Sequence, residues 1–447
     1  MRIAMLKQFN EKIPYWAKVP FSGAIRQKLI GNPVFLETYR ELERADAMTP
    51  EELDAWQLRQ LKEALRHAGE HTAYYRELFR QRGFDPESVS SVADLSALPV
   101  LTKEDLKTRF DDMAADDLTD FYPVTTGGTT GTPTKVLMER DAIYREWAFV
   151  YHYWSKYGYD YRTSKLATLR GVSMGKTLSA VNPLYREIRL NPFVMNRNNI
   201  GEYVKRIGRY QAGFLYGYPS AVHNFCRLTS EKGINLRGRF QAALLISENL
   251  YPFQEETITA ALGCPIAMFY GHSERAVFAE RSEKGYAFHP LYGVTEIAPD
   301  GTPIVTGFIN RKMPLIRYQV DDYAESVNGD GRFRITGHRN GDLLYGLHGE
   351  EISAAALNFH SDVLRRVSAY QYVQSEPGTC VLKVLSDERL NGETLQEIAL
   401  QVNQKLAGAV HCDMEQAESL YGTGSGRGKY KMVIQRTSTP PPRSIIW

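Results

Sequence analysis

The run Thr125-Thr126-Gly127-Gly128-Thr129-Thr130-Gly131-Thr132-Pro133-Thr134-Lys135 sets glycines among threonine hydroxyls between two short strand-like runs. Glycine lets a backbone turn its N–H groups inward and approach an anion closely, and hydroxyls add donors around phosphoryl oxygens. The chemistry this suits is the cradling of a triphosphate tail. A P-loop would place Lys and then Ser or Thr right after its last glycine, at the start of a helix. Here Thr132-Pro133 follows Gly131, and Lys135-Val136-Leu137-Met138 continues as a β-like run, so a strand-loop-strand hairpin is expected and a P-loop kinase is disfavoured. An ordinary glycine-rich turn shares this composition, so the loop does not decide the matter alone.

Further clusters follow in a fixed order. Tyr270-Gly271-His272-Ser273-Glu274 closes an apolar run and offers an aromatic face, a hydroxyl and a hard carboxylate. Mg²⁺ typically takes one or two carboxylates beside phosphate oxygens. Pro314-Leu315-Ile316-Arg317-Tyr318-Gln319-Val320-Asp321-Asp322 ends in two acids that can accept from hydroxyls. Upstream, Ser247-Glu248-Asn249 is a polar triplet after a strand. Gly337-His338-Arg339-Asn340-Gly341-Asp342 sets a guanidinium among glycines, and Gly426-Arg427-Gly428-Lys429-Tyr430-Lys431 sets a lysine beside another. Taken singly, Glu274-Arg275 reads as a surface turn and Lys429 as a lysine on a mobile loop.

In this order the clusters resemble the motifs of adenylate-forming enzymes, the acyl-CoA synthetase and ligase superfamily. The Gly-Thr-Thr-Gly-x-Pro-Thr form is similar to its phenylacetate-CoA ligase and capsular polysaccharide CapK-like branch, as are Gly349-Glu350-Glu351-Ile352-Ser353 and Ala356-Leu357-Asn358-Phe359-His360. The resemblance extends over nearly the whole chain. It implies that Thr126, Gly127, Gly128, Thr129, Thr130 and Gly131 bind the phosphates. Tyr270 would stack on adenine, with Gly271 and His272 in the same segment, while the Ser273 hydroxyl meets the α-phosphate and Glu274 holds Mg²⁺. Ser247 and Glu248 fall where the adenine-edge segment would lie. Asp322 would take the ribose hydroxyls, although Asp321 occupies the usual glycine position and leaves open which acid faces ribose. Arg339 would contact ribose or phosphate from a hinge in which His338 intrudes. Lys429 would be the catalytic lysine, with Lys431 two residues on and pointing the same way in a strand.

The activity so implied is an ATP- and Mg²⁺-dependent, AMP-forming ligation. A small-molecule carboxylic acid becomes an acyl adenylate and then passes to an acceptor, either the thiol of coenzyme A or an amine or hydroxyl of a sugar. No protein nucleophile is needed, because alignment and charge neutralisation by backbone N–H groups, Mg²⁺, Lys429 and Arg339 carry the reaction. A reading from another class is a catalytically silent nucleotide-binding scaffold in polysaccharide assembly, motivated by Asp321 and His338.

Composition narrows the field further. The 447 residues are 43% hydrophobic and 24% charged, as in soluble globular proteins of two or more domains. With 54 basic and 52 acidic residues the net charge is +2, and no basic stretch is interleaved with aromatics, so nucleic acid is not an expected partner. Cys226, Cys264, Cys380 and Cys412 lack metal-ligand spacing and fit a reducing compartment. No run has the length of a transmembrane segment, and the first residues lack the apolar core of a secretory signal, so the cytoplasm is expected. Arg2, Lys7, Lys12, Lys18, Arg26 and Lys28 form a basic arm whose first reading is packing on the main domain and whose second is peripheral contact with an anionic membrane. A homodimer is left open.

These groups need a frame. Residues 1–100 read as mostly helical, with a capping box at Thr49-Pro50-Glu51-Glu52 and a helical stripe of Leu53, Trp56, Leu61, Leu65 and Ala68 that Gly69 closes. Ile143, Trp147, Val150, Trp154 and Tyr157 form an aromatic stripe suited to core packing, with a substrate-pocket wall as the second reading. Phe240–Ile246 and Pro265–Tyr270 read as buried strands. The expected fold is a large α/β N-terminal domain of the adenylate-forming type, residues 1–336, with a small mobile C-terminal α+β domain, residues 337–436, and an irregular tail, 437–447. In the smaller unit Val381–Leu385 and Tyr430–Ile434 read as strands and Thr394 with Glu397 as a helix cap. The joint is expected near Gly337–Gly349.

Overall fold

A computed structural model describes residues 26–125, 135–170, 174–248, 250, 252–320, 322–327, 329, 331–336, 343–353, 367, 369–386, 388–418, 420 and 433–436. Five strands form the parallel centre of a sheet: β3 (Leu166–Leu169), β5 (Glu187–Leu190), β6 (Phe214–Gly217), β7 (Ala242–Leu245) and β8 (Ile266–Gly271), in the spatial order β5-β3-β6-β7-β8. Side chains alternate between the faces of a strand, and both faces here are covered. Leu166, Phe214, Ala242, Leu244 and Ala267 enter one core with the helix Ala142–Ser155. Ala167, Leu169, Leu215, Ala243, Leu245 and Met268 enter a second core with the helices Ile200–Tyr210 and Pro219–Glu231. That double burial explains why β7 is apolar throughout rather than alternating, and why β3 is buried at every position, its one polar residue, Thr168, donating to Glu187 Oε2 at 2.7 Å.

Antiparallel strands extend the sheet at both edges, β4 (Ser179–Asn182) beyond β5, and β9 (Phe278–Ser282), β10 (Gly285–Phe288), β15 (Arg332–Thr336) and β14 (Tyr323–Val327) beyond β8. A separate hairpin pairs β1 (Phe121–Thr125) with β2 (Lys135–Glu139), Thr125 opposite Lys135. These are the two strands expected around the glycine run, whose residues 126–134 lie outside the described ones. A third sheet joins β11 (Gly293–Ile297), β12 (Pro303–Gly307) and β13 (Tyr318–Gln319).

Thr49 caps the helix Pro50–His71 with the reciprocal Thr49–Glu52 box and Pro at the first turn. The helix does not stop at Gly69. It runs on to His71, and Gly69 serves packing, since a Cβ there would meet Phe79 at 3.0 Å. The aromatic stripe packs as a core: Trp154 is buried against Tyr159 and Tyr216, with centroids 5.1 and 5.0 Å away. Its last member, Tyr157, lies beyond the helix end at Ser155.

Residues 343–435 add two small sheets. A hairpin pairs β16 (Leu343–Tyr345) with β17 (Glu351–Ser353), and a four-stranded sheet runs β20 (His411–Gln416), β19 (Thr379–Leu385), β18 (Ala369–Glu376), β21 (Val433–Gln435). The helix Gly392–Leu406 closes their core through Ile398, Val402 and Leu406. Its cap is not Thr394 but Asn391, whose Oδ1 accepts from Thr394 N at 2.8 Å. Phe193 and Tyr218 meet this core from the larger body. All four cysteines are free thiols, and no helix among the described residues is long and apolar enough to cross a membrane. Of the basic arm, Arg26 is buried and anchored on the carbonyls of Leu184 and Tyr161, while residues 1–25 lie outside the described ones.

Candidate active site

In an open α/β sheet, ligands bind outside the carboxyl ends of the parallel strands. On that edge stand Arg170 after β3, Tyr218 after β6, Ser247 after β7 and His272 after β8. β8 carries Tyr270 past the register partner of the last β7 residue, because Leu245 pairs with Met268.

Tyr270 and Asp322 are both buried, and the tyrosine hydroxyl donates to Asp322 Oδ2 at 2.7 Å. His272 Nε2 lies 2.8 Å from the same oxygen, and its ring sits edge-on to Tyr270 with centroids 4.8 Å apart. Two groups from the end of β8 thus fix the orientation of a carboxylate that stands just before β14. Asp321 lies outside the described residues. Glu274 is 7% exposed, and the Tyr318 hydroxyl approaches its Oε1 at 3.5 Å, the long limit of a hydrogen bond. Its neighbour Ser273 is exposed. A buried carboxylate at an open sheet edge fits a hard cation such as Mg²⁺, which needs few protein ligands.

Backbone geometry marks the same places. Six non-glycine residues among the described ones have positive φ, a conformation that costs an L-residue energy. Arg186, Gln211 and Ala407 are helix C-caps, where such a turn ends the helix. The other three are Ser247 (φ 66°), Arg275 (φ 53°) and Arg317 (φ 52°), one in each cluster singled out around Ser247, Glu274 and Asp322.

Arg317 is an anchor rather than a ligand contact. Its guanidinium binds the Glu296 carboxylate at 3.1 and 3.0 Å and reaches the Leu98 carbonyl, fixing the strand that leads to Asp322. Arg275 plays the corresponding part for Glu274. Its Nη1 donates to the Tyr122 hydroxyl at 3.0 Å, tying the 270–275 segment to β1 and so to the entry of the glycine run. Burial lifts the Glu146 carboxyl above its usual range, while the nearby Arg275 guanidinium and the Tyr292 hydroxyl pull the other way.

Arg170 is held by phenols. Its Nη1 donates to Tyr216 Oη at 3.2 Å, its guanidinium lies 5.5 and 5.9 Å from the ring centres of Tyr216 and Tyr218, and Tyr216 with Tyr218 holds its pKa above the usual value. Tyr122, Arg170, Arg275 and Tyr318 were not assigned roles from sequence. The one local signal was an arginine directly after the mostly apolar run Leu166-Ala167-Thr168-Leu169.

The structure therefore brings Tyr270, His272 and Asp322 into contact, sets Glu274 beside Tyr318, and puts Ser247 and Glu248 at the end of the adjoining strand. Thr126, Gly127, Gly128, Thr129, Thr130, Gly131, Arg339 and Lys429 lie outside the described residues.

No family model matches the chain. It is 21% identical over 399 residues to Protein CapK of Staphylococcus aureus, covering 84% of this chain and 88% of the relative. It is 24% identical over 342 residues to the phenylacetate-coenzyme A ligase of Pseudomonas putida, covering 69% of this chain and 76% of the relative. Among solved structures, 2-hydroxyisobutyryl-CoA ligase in complex with 2-HIB-AMP and CoA in the thioesterification state matches with TM-score 0.52 and 19% identity, over 88% of this chain and 91% of that one. That likeness establishes a common fold.

Proposed function

Because the chain belongs to the adenylate-forming ligase superfamily, on its phenylacetate-CoA ligase and CapK-like side, we propose that it uses ATP to activate a small carboxylic acid and passes the acyl group to an acceptor, with coenzyme A thiol as the first candidate. The observation that carries this reading is the convergence of Tyr270, His272 and Asp322 at the carboxyl edge of the sheet, with Arg275 linking their segment to β1.

In the proposed reaction a carboxylate oxygen of the acid attacks the α-phosphorus of ATP and the bond to pyrophosphate breaks. The acyl adenylate is then attacked at its carbonyl by the acceptor, which loses a proton as AMP departs. Asp322, held in one orientation, accepts from the ribose hydroxyls. Tyr270 supplies the adenine-stacking ring, and Ser247 and Glu248 flank it at the end of β7. Glu274 is the ligand for Mg²⁺, which when bound offsets phosphate charge. The glycine run 126–131 cradles the phosphates, and Lys429 and Arg339 reach the site from a lid, residues 337–436, that moves relative to residues 1–336 between the two half-reactions.

A sugar amine or hydroxyl, which the resemblance of the glycine run to the capsular polysaccharide branch implies, is the second acceptor. Incubation with ATP, Mg²⁺, a panel of aryl and short hydroxy acids, and either coenzyme A or an amino sugar, followed by mass spectrometry, separates them. Formation of AMP with an acyl-CoA supports the first acceptor, an acylated sugar supports the second, and release of ADP contradicts the reading altogether.

A further inference from the structure

At the far end of the helix Pro50–His71, His67 and His71 face Asp117 of the loop that leads into β1, and we propose that these three side chains hold a divalent transition-metal ion of the Zn²⁺ type.

Residues four apart share a helix face, so both imidazoles project toward the same loop. One donor atom from each of the three residues lies within 4.8 Å of the others. Asp117 Oδ2 is 3.1 Å from His67 Nε2 and 4.0 Å from His71 Nε2. An ion about 2.0–2.2 Å from each ligand atom requires donors roughly 3–4 Å apart, so two of the three pairs need little or no movement.

The surroundings already orient the ligands. His71 Nδ1 lies 2.9 Å from Asp116 Oδ1. Donation from Nδ1–H to that carboxylate leaves the lone pair on Nε2, the atom that faces Asp117. An outer carboxylate acting on the second nitrogen of an imidazole is the arrangement that orients histidine ligands in zinc sites.

The loop is pinned as well. Asp116 N donates to the His71 carbonyl at 2.9 Å, Ala115 N to the Lys312 carbonyl at 2.8 Å, and Lys312 Nζ to the Leu118 carbonyl at 2.8 Å. His67 is 6% exposed, which shields one side of the site, whereas His71 and Asp117 keep solvent access for a water as fourth ligand. Two imidazoles with one carboxylate suit a borderline ion rather than Mg²⁺ or Ca²⁺, which take oxygen sets. An ion here clamps the end of the helix to residues 115–118, just ahead of the hairpin that carries the glycine run.

The test uses the untagged full-length protein, stripped with EDTA, dialysed, and titrated with Zn²⁺ against a chromophoric chelator, with thermal unfolding measured in parallel. The expected result is saturable binding in which His71→Gln and Asp117→Asn each lower affinity at least about tenfold, and Asp116→Asn by about 10–100-fold through loss of ligand orientation. Zn²⁺ is expected to raise the unfolding midpoint of the wild type more than that of His71→Gln at the same Zn²⁺ concentration. His71 is at the surface, so its variant keeps the fold. Absence of Zn²⁺ binding by the wild type, or equal affinity and stoichiometry in the wild type, His71→Gln and Asp117→Asn, would overturn the proposal.

Discussion

The hydroxyl of Tyr270 lies 2.7 Å from Asp322 Oδ2, joining the end of β8 to the residue before β14 across 52 positions of sequence. Tyr270→Phe removes the donor and keeps the ring, while Asp322→Asn keeps the shape and removes the charge. A hydrogen bond to a charged group is worth about 1.5–3 kcal/mol, so Asp322→Asn is expected to weaken AMP binding roughly 10–100-fold by calorimetry. Tyr270→Phe is expected to weaken it by less than about tenfold. A larger loss in Tyr270→Phe than in Asp322→Asn would reverse the roles given to ring and carboxylate.

Arg275 and Glu146 influence each other electrostatically behind the site, and the same guanidinium donates to the Tyr122 hydroxyl. Removing one member leaves the other poorly compensated, so Arg275→Leu should cost roughly 2–4 kcal/mol in urea unfolding. Adding Glu146→Leu should return part of that loss, as coupled neighbours are not additive. Additive costs in the double variant would show that the two do not act as a pair.

His289 gives the stability a pH dependence of known sign. Its ring packs edge-on against Phe149 at 4.9 Å and its Nδ1 accepts from Leu291 N at 3.3 Å. Burial, with repulsion from Lys156 and His152, pushes its pKa down to about 3. An unfolded histidine titrates near 6.5, so below that pH the unfolded chain binds the extra proton and the folded one does not. The stability is full above pH 6.5 and is lost as the pH falls toward 3, by about 2 kcal/mol between pH 7 and 5. His289→Gln should show a smaller drop over that interval in urea unfolding. An equal drop would remove His289 as the source.

Much of this was legible where a signal is local. The Thr49 box carries its own hydrogen bonds, β7 is apolar because both its faces are covered, and Lys135–Met138 is a short apolar run following Thr132-Pro133, as a strand of a hairpin is. Misreadings arose where two residues could do one job. Thr394 has the chemistry of a cap, but Asn391 stands three residues earlier and takes the place, and Gly69 is a contact for Phe79 rather than a stop. The buttress of the site was not legible at all. The Arg275–Tyr122 contact spans 153 positions, and left-handed backbone at Ser247, Arg275 and Arg317 leaves no mark in residue type.

The most direct test of nucleotide-driven acid activation is the exchange of labelled pyrophosphate into ATP. Exchange should appear with at least one carboxylic acid and be absent without any. It should fall roughly 10²–10³-fold in Lys429→Ala, the scale expected when a charge-stabilising group is removed from a transition state, and fall also in Asp322→Asn. Tight ATP binding with no exchange across the acid panel would contradict the account and leave a nucleotide-binding scaffold in its place.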